Sequence, residues 1–232
     1  MKKLLCTALC IALVLSFAAN AEVFSASTAY EARTKALTVF DTCAFTVEYP
    51  GANSSQGHIT RWDSSIHVYI GGNPSWQDTK LIQNFIMELQ LRVPSMPNIT
   101  LVSRAQDSNM QIYFVPLNQM ASYVPGYVSG NWGMFHFSYN SWRITEAQIG
   151  IATDVTNQRQ RNHLIMEEIV GALGLTNDHY YYEDSIVYQP WTEVQQLSDV
   201  DWIMLNMLYS PLVYPGIQKQ ELHTIFLNAW SK

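Results

Sequence analysis

Between His163 and Tyr188 the chain gathers side chains able to bind a metal or move a proton: His163, Glu167, Glu168, Asn177, Asp178, His179, Asp184, Ser185 and Tyr188. Their spacing limits what they can do together. Residues four apart on a helix share a face, about one turn from each other. His163 and Glu167 meet that rule, and so do Glu167 and Gly171, but Gly171 has no side chain to offer. Glu167 and Glu168 project roughly 100° apart around a helix, so they cannot flank one bond as the carboxylates of a glycosidase must. A catalytic zinc needs three protein ligands and an open position for water. His163, Glu167 and His179, with Asp178 as an alternative to His179, make one conceivable set. The competing account has His163 as a polar residue near the exposed start of the helix and His179 as a loop residue. That account is preferred, because isolated histidines are seldom ligands. No metal or other cofactor is expected, with zinc on the His163, Glu167, His179 set as the alternative.

The elements that must position these residues follow from periodicity. Ile66, Val68 and Ile70 alternate with Ser65, His67 and Tyr69 before Gly71-Gly72, which reads as a strand. A helix is expected from Trp76 to Val93, ended by Pro94 and Pro97. Strands are expected over Ile99–Val102, Met110–Val115 and Ala147–Thr153, with Phe135–Tyr139 as a strand inside a long loop. Asn157 to Leu175 is the strongest helix, capped by Thr156 or Asn157. Ile165, Ile169, Ala172 and Leu173 form its core stripe. Gly171 allows a close approach, and Gly174 suits a left-handed C-cap. Two helices follow, Ser198–Leu208 and Gly216–Trp230, and a short one is expected around Tyr30–Leu37. Strands and helices are segregated, so the expected class is α+β with a mixed twisted sheet and C-terminal helices.

Within the long helix and beyond it, the run Glu167-Glu168-Ile169-Val170-Gly171-Ala172-Leu173-Gly174-Leu175-Thr176-Asn177 keeps the register of a known motif. It resembles the H-E-x-x-H-x-x-G-x-x-H of metzincin zinc proteases. Glu168 stands at the catalytic glutamate and Gly174 at the turning glycine, while Glu167, Gly171 and Asn177 occupy the three histidine positions. Asp184-Ser185-Ile186-Val187-Tyr188 resembles the turn beneath zinc in matrixin-type enzymes, with Val187 in the place of methionine. A closer resemblance is to the bacterial domain of unknown function 2927 family, through Glu-Glu-x-x-Gly-Ala-Leu-Gly-Leu, Asn177-Asp178, Asp184-Ser185-Ile186 and Leu208-Tyr209. Here Gly171 replaces the family's glutamine. The resemblance spans about Arg61 to Ile217 and implies a zincin-like scaffold. It marks Glu167, Gly171, Asn177, Asp178, Ser185 and Tyr188 as the positions that would line the site. Glu168, implied as general base, would face ordinary water without an ion to acidify it. A structural role, tying the helix to the sheet or to the Asp184-Ser185 turn, is preferred for it.

The ends and the composition set the compartment. Lys2 and Lys3, an apolar run from Leu4 to Phe17, and Ala19-Asn20-Ala21 have the form of a secretory signal peptide cleaved after Ala21. The run is too short for a comfortable membrane span. The expected division is signal 1–21, an N-terminal extension 22–60 and a metzincin-like domain 61–232, secreted or periplasmic. Loss of Lys2 and Lys3 takes the 13 basic residues to 11 against 19 acidic ones, a net charge of −8. With no basic run, nucleic acid and anionic membrane surfaces are not expected partners. Cys43 alone remains after cleavage, so no intrachain disulfide can form, and a small buried hydrophobe is its preferred role. Sequons at Asn53 and Asn98 matter only in a eukaryotic secretory pathway.

The leading functional reading is a non-catalytic exported protein that holds a peptide or protein partner in a groove beside Ile149–Thr153, as an added strand. Trp132, Phe135, Phe137, Tyr139 and Trp142 suit such a groove and suit a packed core equally. Tyr180-Tyr181-Tyr182 offers another surface or a packed wall. The alternative is a divergent metal-dependent peptidase. A Cys43 nucleophile has no local motif behind it, and G-x-S-x-G is absent. The oligomeric state is left open.

Overall fold

A computed structural model describes residues 31, 33–47 and 57–230. The signal sequence, Tyr30 of the short helix and the Asn53 sequon lie outside these residues. The first regular element is a helix, α1, over residues 33–45. It is longer than the expected short helix, and it does not stand apart from the domain. Leu37, Phe40, Cys43 and Phe45 enter the same buried cluster as the sheet residues. At its far end Asp41 receives Lys219 Nζ at 2.9 Å and His223 Nε2 at 2.8 Å from the last helix.

The sheet has five strands: β1 (Ile66–Gly72), β2 (Ile99–Val102), β3 (Met110–Val115), β4 (Gly133–Asn140) and β5 (Arg143–Ala152). Their spatial order is β2-β1-β3-β5-β4, with every pairing parallel except the antiparallel β4–β5 hairpin. The groove expected beside Ile149–Thr153 is therefore corrected. β5 is flanked on both sides, and β4 is the edge, since the short hairpin connection folds it back onto the outside of β5. The turn places Ser141 and Trp142 at φ of 49° and 65°. A bulky residue there is strained, and neighbours hold it. The Trp142 ring stacks on Tyr139 at 5.6 Å and on His58 at 4.3 Å.

Two helices pack on one another and on the sheet: α2 (Trp76–Arg92) and α3 (Gln158–Ala172). Both begin with reciprocal capping boxes, Ser75 with Asp78 and Asn157 with Gln160. The expected stripe Ile165, Ile169, Ala172 and Leu173 is buried. Helix ends leave carbonyls without intrahelical partners, and at the end of α3 these are met by distant donors. Trp62 Nε1 donates to Ala172 O at 2.9 Å, and the Tyr209 hydroxyl donates to Leu173 O at 2.8 Å. The late Leu208-Tyr209 pair is thus a clamp on α3. Gly174 follows at φ +122°, where a Cβ would stand 2.4 Å from Thr60 O. Helices α4 (Asp199–Leu208) and α5 (Lys219–Trp230) complete the order anticipated from periodicity. No helix among the described residues is long and apolar enough to cross a membrane.

Asp78 joins the two helices. Only 1% exposed, it caps α2 through Ser75 and accepts from Gln158 Nε2 at 2.6 Å and Arg161 Nε at 3.2 Å. Asp78→Ala would leave the guanidinium without its carboxylate and the cap without its reciprocal bond. We expect a loss of about 3 kcal/mol, measured by urea unfolding. A loss within experimental error would show that the pair does not hold α2 to α3.

Candidate functional site

The α3 residues face three different environments, and none of them converges on a metal. His163, 2% exposed, lies 3.6 Å from Glu167 Oε2 and 3.3 Å from the Val194 carbonyl, with its ring edge-on to Trp191 at 5.6 Å. Burial lowers its pKa, against the opposing pull of the Val194 carbonyl and Glu193. Glu168 is buried and turned toward the first residue of β4: a Cβ on Gly133 would lie 2.5 Å from its Oε1. Its carboxylate thus lies against the start of the edge strand.

Gly171 is the most informative position. A Cβ there would lie 2.2 Å from Cε1 and 2.6 Å from Cδ1 of Phe135. The close approach is to an aromatic ring, and that ring occupies the space a ligand side chain at 171 would need. Asn177 is turned elsewhere: its Nδ2 donates to Thr46 Oγ1 at 2.5 Å, and its backbone N–H donates to Cys43 O at 3.2 Å. Asp178 lies near enough to Cys43 to act on its thiol. Burial first, then Asp178 and Asp201, raise that thiol well above its ordinary value. A thiol so protonated is no nucleophile, so Cys43 packs as a small buried hydrophobe.

His179 is drawn into a second system. Its Nδ1 accepts from the Tyr181 backbone N–H at 3.0 Å, which leaves the ring proton on Nε2. Nε2 then donates to Ser185 Oγ at 3.0 Å, and Ser185 donates onward to Asp201 Oδ1 at 2.5 Å. Asp201 Oδ2 accepts from the backbone N–H of Ile186 at 2.9 Å and of Ser198 at 2.8 Å. Burial raises the Asp201 pKa against these bonds, and burial lowers that of His179 to about 4. In a hydrolytic triad the histidine stands between hydroxyl and carboxylate. Here the hydroxyl stands in the middle, donates its hydrogen bond to the carboxylate, and is 0% exposed. The relay is a fastening for the 184–187 turn. Tyr188 pairs with His179 through a parallel bridge and sets its ring 6.3 Å from the imidazole.

The set His163, Glu167, His179 is therefore not assembled: both His179 nitrogens are engaged in the relay, away from the His163–Glu167 pair. Among the described residues no three of His, Cys, Asp and Glu stand together as a metal site. The zinc implied by the metzincin resemblance does not fit the residues at its three positions. Glu167 alone is an ordinary ligand type, Gly171 lies under Phe135, and Asn177 is bound to Thr46. Sequence reasoning missed Asp201, Gly133 and Trp191. Only Asp201 had a readable signal, the capping pattern Ser198-x-x-Asp201.

Of the aromatic stretch, Phe137 is in the core, and Trp132, Phe135 and Tyr139 pack against it while staying partly exposed. Trp132 meets the exposed Trp191 edge-on at 5.5 Å. Tyr180 and Tyr181 are exposed, whereas Tyr182 packs against the core.

The family described as proteins of unknown function, DUF2927, matches residues 34–228, so the chain belongs to that family. No curated protein matches the chain. Among solved structures it is similar to the crystal structure of myroilysin, at 12% identity and a TM-score of 0.46, over 72% of this chain and 91% of that one. A second structure of myroilysin is similar at 14% identity and a TM-score of 0.42, over 65% of this chain and 96% of that one.

Two outcomes test this geometry. Gly171→Ala should destabilise by about 2 kcal/mol through overpacking, despite the helix preference of alanine. In a Phe135→Ala background the same change should become neutral or stabilising, read as a coupling in a double-mutant cycle. Additive effects would mean that the ring does not fill the site. The second outcome concerns pH. A histidine whose folded pKa is depressed binds fewer protons folded than unfolded between about 4 and 6.5. Its contribution is complete above pH 6.5 and is lost as pH falls toward 4. Denaturant midpoints across that window should fall with pH in the wild type and fall less in His179→Gln; parallel curves would assign the slope to other groups.

Proposed function

We propose, from the premise that the chain belongs to DUF2927, that it is an exported, non-catalytic protein that binds an extended peptide segment along the outer edge of β4. The observation that carries this reading is the contact of Phe135 with Gly171. The edge strand is held against α3 by a side chain standing where a metal ligand would project, so the cleft wall is kept and its chemistry is not.

The strand has the backbone for such a partner. Trp132 O accepts from Ala152 N at 2.7 Å, and Gly133 faces Ile151 in the next pair. In an antiparallel ladder, residues directly opposite alternate between bonded and non-bonded pairs. Gly133 and Phe135 therefore turn their backbone N–H and C=O groups away from β5. An added strand takes its affinity from such groups and its specificity from alternate side chains. Trp132 and Trp191 lie at one end of this edge and offer flat apolar contact with the indole N–H as a polar handle. Export rests on Lys2, Lys3, the apolar run and Ala19-Asn20-Ala21.

The test starts from protein recovered from the exported fraction, which should begin at Glu22. Peptides selected on it from a random display library are resynthesised with single backbone N-methyl groups, and affinity is followed by fluorescence polarisation. Weakening of about tenfold at every second residue is the expected pattern. Indifference to N-methylation at all positions would sink strand addition. Cleavage of the same peptides, with or without added zinc, would sink the non-catalytic reading.

A further inference from the structure

On the side of the molecule built by the C-terminal helices, a cleft of about 710 Å³ opens between α4, α5 and the ends of α1 and α2. That volume lies in the range of small-molecule sites. Its walls are apolar: Trp202, Ile203, Met207, Leu212, Phe226 and Trp230. Phe226 and Trp230 are stacked at 5.3 Å with an interplanar angle of 14°, forming a flat wall one turn of α5 long.

Polar groups at this cleft are few and mostly of one sign. Arg33 and Arg92 line it, with Asp199 as the single acidic side chain. In a chain with 19 acidic and 13 basic residues, two arginines beside one apolar cleft reverse the overall balance. Arg33 is exposed and has no ion pair among the described residues. Arg92 lays its guanidinium 4.2 Å over the Trp202 ring and meets Glu88 through Nη1 alone, at 3.3 Å. Its Nε and Nη2 have no hydrogen-bond partner among the described residues, and a guanidinium edge of that kind matches a carboxylate. Trp202, 4% exposed, also keeps its indole N–H without an acceptor, although a buried indole usually finds one.

We propose that this cleft binds an amphiphilic carboxylate, a single anionic head on an extended hydrocarbon body. The head pairs with Arg92 and Arg33, and the body lies against Trp202, Phe226 and Trp230. The cleft is built from elements other than the β4 edge, so this site stands or falls independently of peptide binding.

The probe is sodium dodecanoate, kept below its micelle-forming concentration and titrated into the purified protein by calorimetry. One saturable site is expected, with dodecanol at least about tenfold weaker. The double variant Arg33→Gln/Arg92→Gln should weaken dodecanoate by at least about tenfold and leave dodecanol unchanged. Arg33→Lys/Arg92→Lys, which keeps the charge but loses the guanidinium fork, should fall between the wild type and the glutamine variant. The proposal is overturned by the absence of saturable binding, or by equal affinity for the alcohol and the acid. A glutamine variant that weakens dodecanol as much as dodecanoate would overturn it as well, because the loss would then reflect packing against Trp202 and not charge.

Discussion

The loop after α3 and the start of α4 depend on one buried carboxylate. Asp201 begins α4 as the reciprocal partner of Ser198, and that local duty would use only part of its hydrogen-bonding capacity. Being 0% exposed, it must satisfy the rest inside the fold. It does so by collecting the Ser185 hydroxyl and the Ile186 N–H. Those bonds fix the 184–187 turn, and Ser185 in turn fixes the His179 ring. A cap of α4 has thus become the point at which the loop after α3, the turn and the start of α4 are held in one arrangement. Burial works against the charge on this carboxylate and its hydrogen bonds work for it, so the arrangement requires all of its donors together.

The second constraint is the approach of β4 to α3. Two glycines, 133 and 171, remove the Cβ atoms that would keep the strand and helix apart, and Glu168 and Phe135 fill the released space from opposite sides. The exchange is reciprocal: the glycine on the helix receives a ring from the strand, and the glycine on the strand receives a carboxylate from the helix. Such complementarity is the ordinary means by which interiors reach close packing. Here it brings the edge strand and the helix into direct contact at both glycines.

Much of the fold was legible because its elements carry strong periodicity or strong punctuation. Pro94 and Pro97 follow the end of α2, Ser75 and Asn157 cap α2 and α3, and alternation marks β1 and β3. The edge position of β4 was not legible, because alternation gives a strand its faces and says nothing about its neighbours. Nor was the extent of α1, whose Phe40 and Phe45 join the common core from a weakly apolar segment, although burial of Cys43 was anticipated. At the site, the register of Glu167, Gly171 and Asn177 was readable, since it is a matter of spacing. Their partners were not: Phe135 reaches Gly171 across 36 residues, and Thr46 reaches Asn177 across 131. Long-range partners leave no local pattern, whereas the Ser198-x-x-Asp201 box did leave one.

These constraints bear on what histidines at positions 171 and 177 would meet. An imidazole at 171 would have to displace Phe135, which also stacks on Phe137 at 6.1 Å and so is held by the strand's own row of rings. An imidazole at 177 would release Thr46 from the one side-chain donor that Asn177 gives it, while the backbone bonds of Thr176 and Asn177 to Cys43 continued to hold the loop against α1. A metal site also requires its ligands to be oriented by neighbours that are themselves fixed. In this fold the neighbours are fixed in support of a different arrangement. A histidine at either position would therefore meet side chains already packed or hydrogen-bonded in another arrangement, Phe135 at 171 and Thr46 at 177.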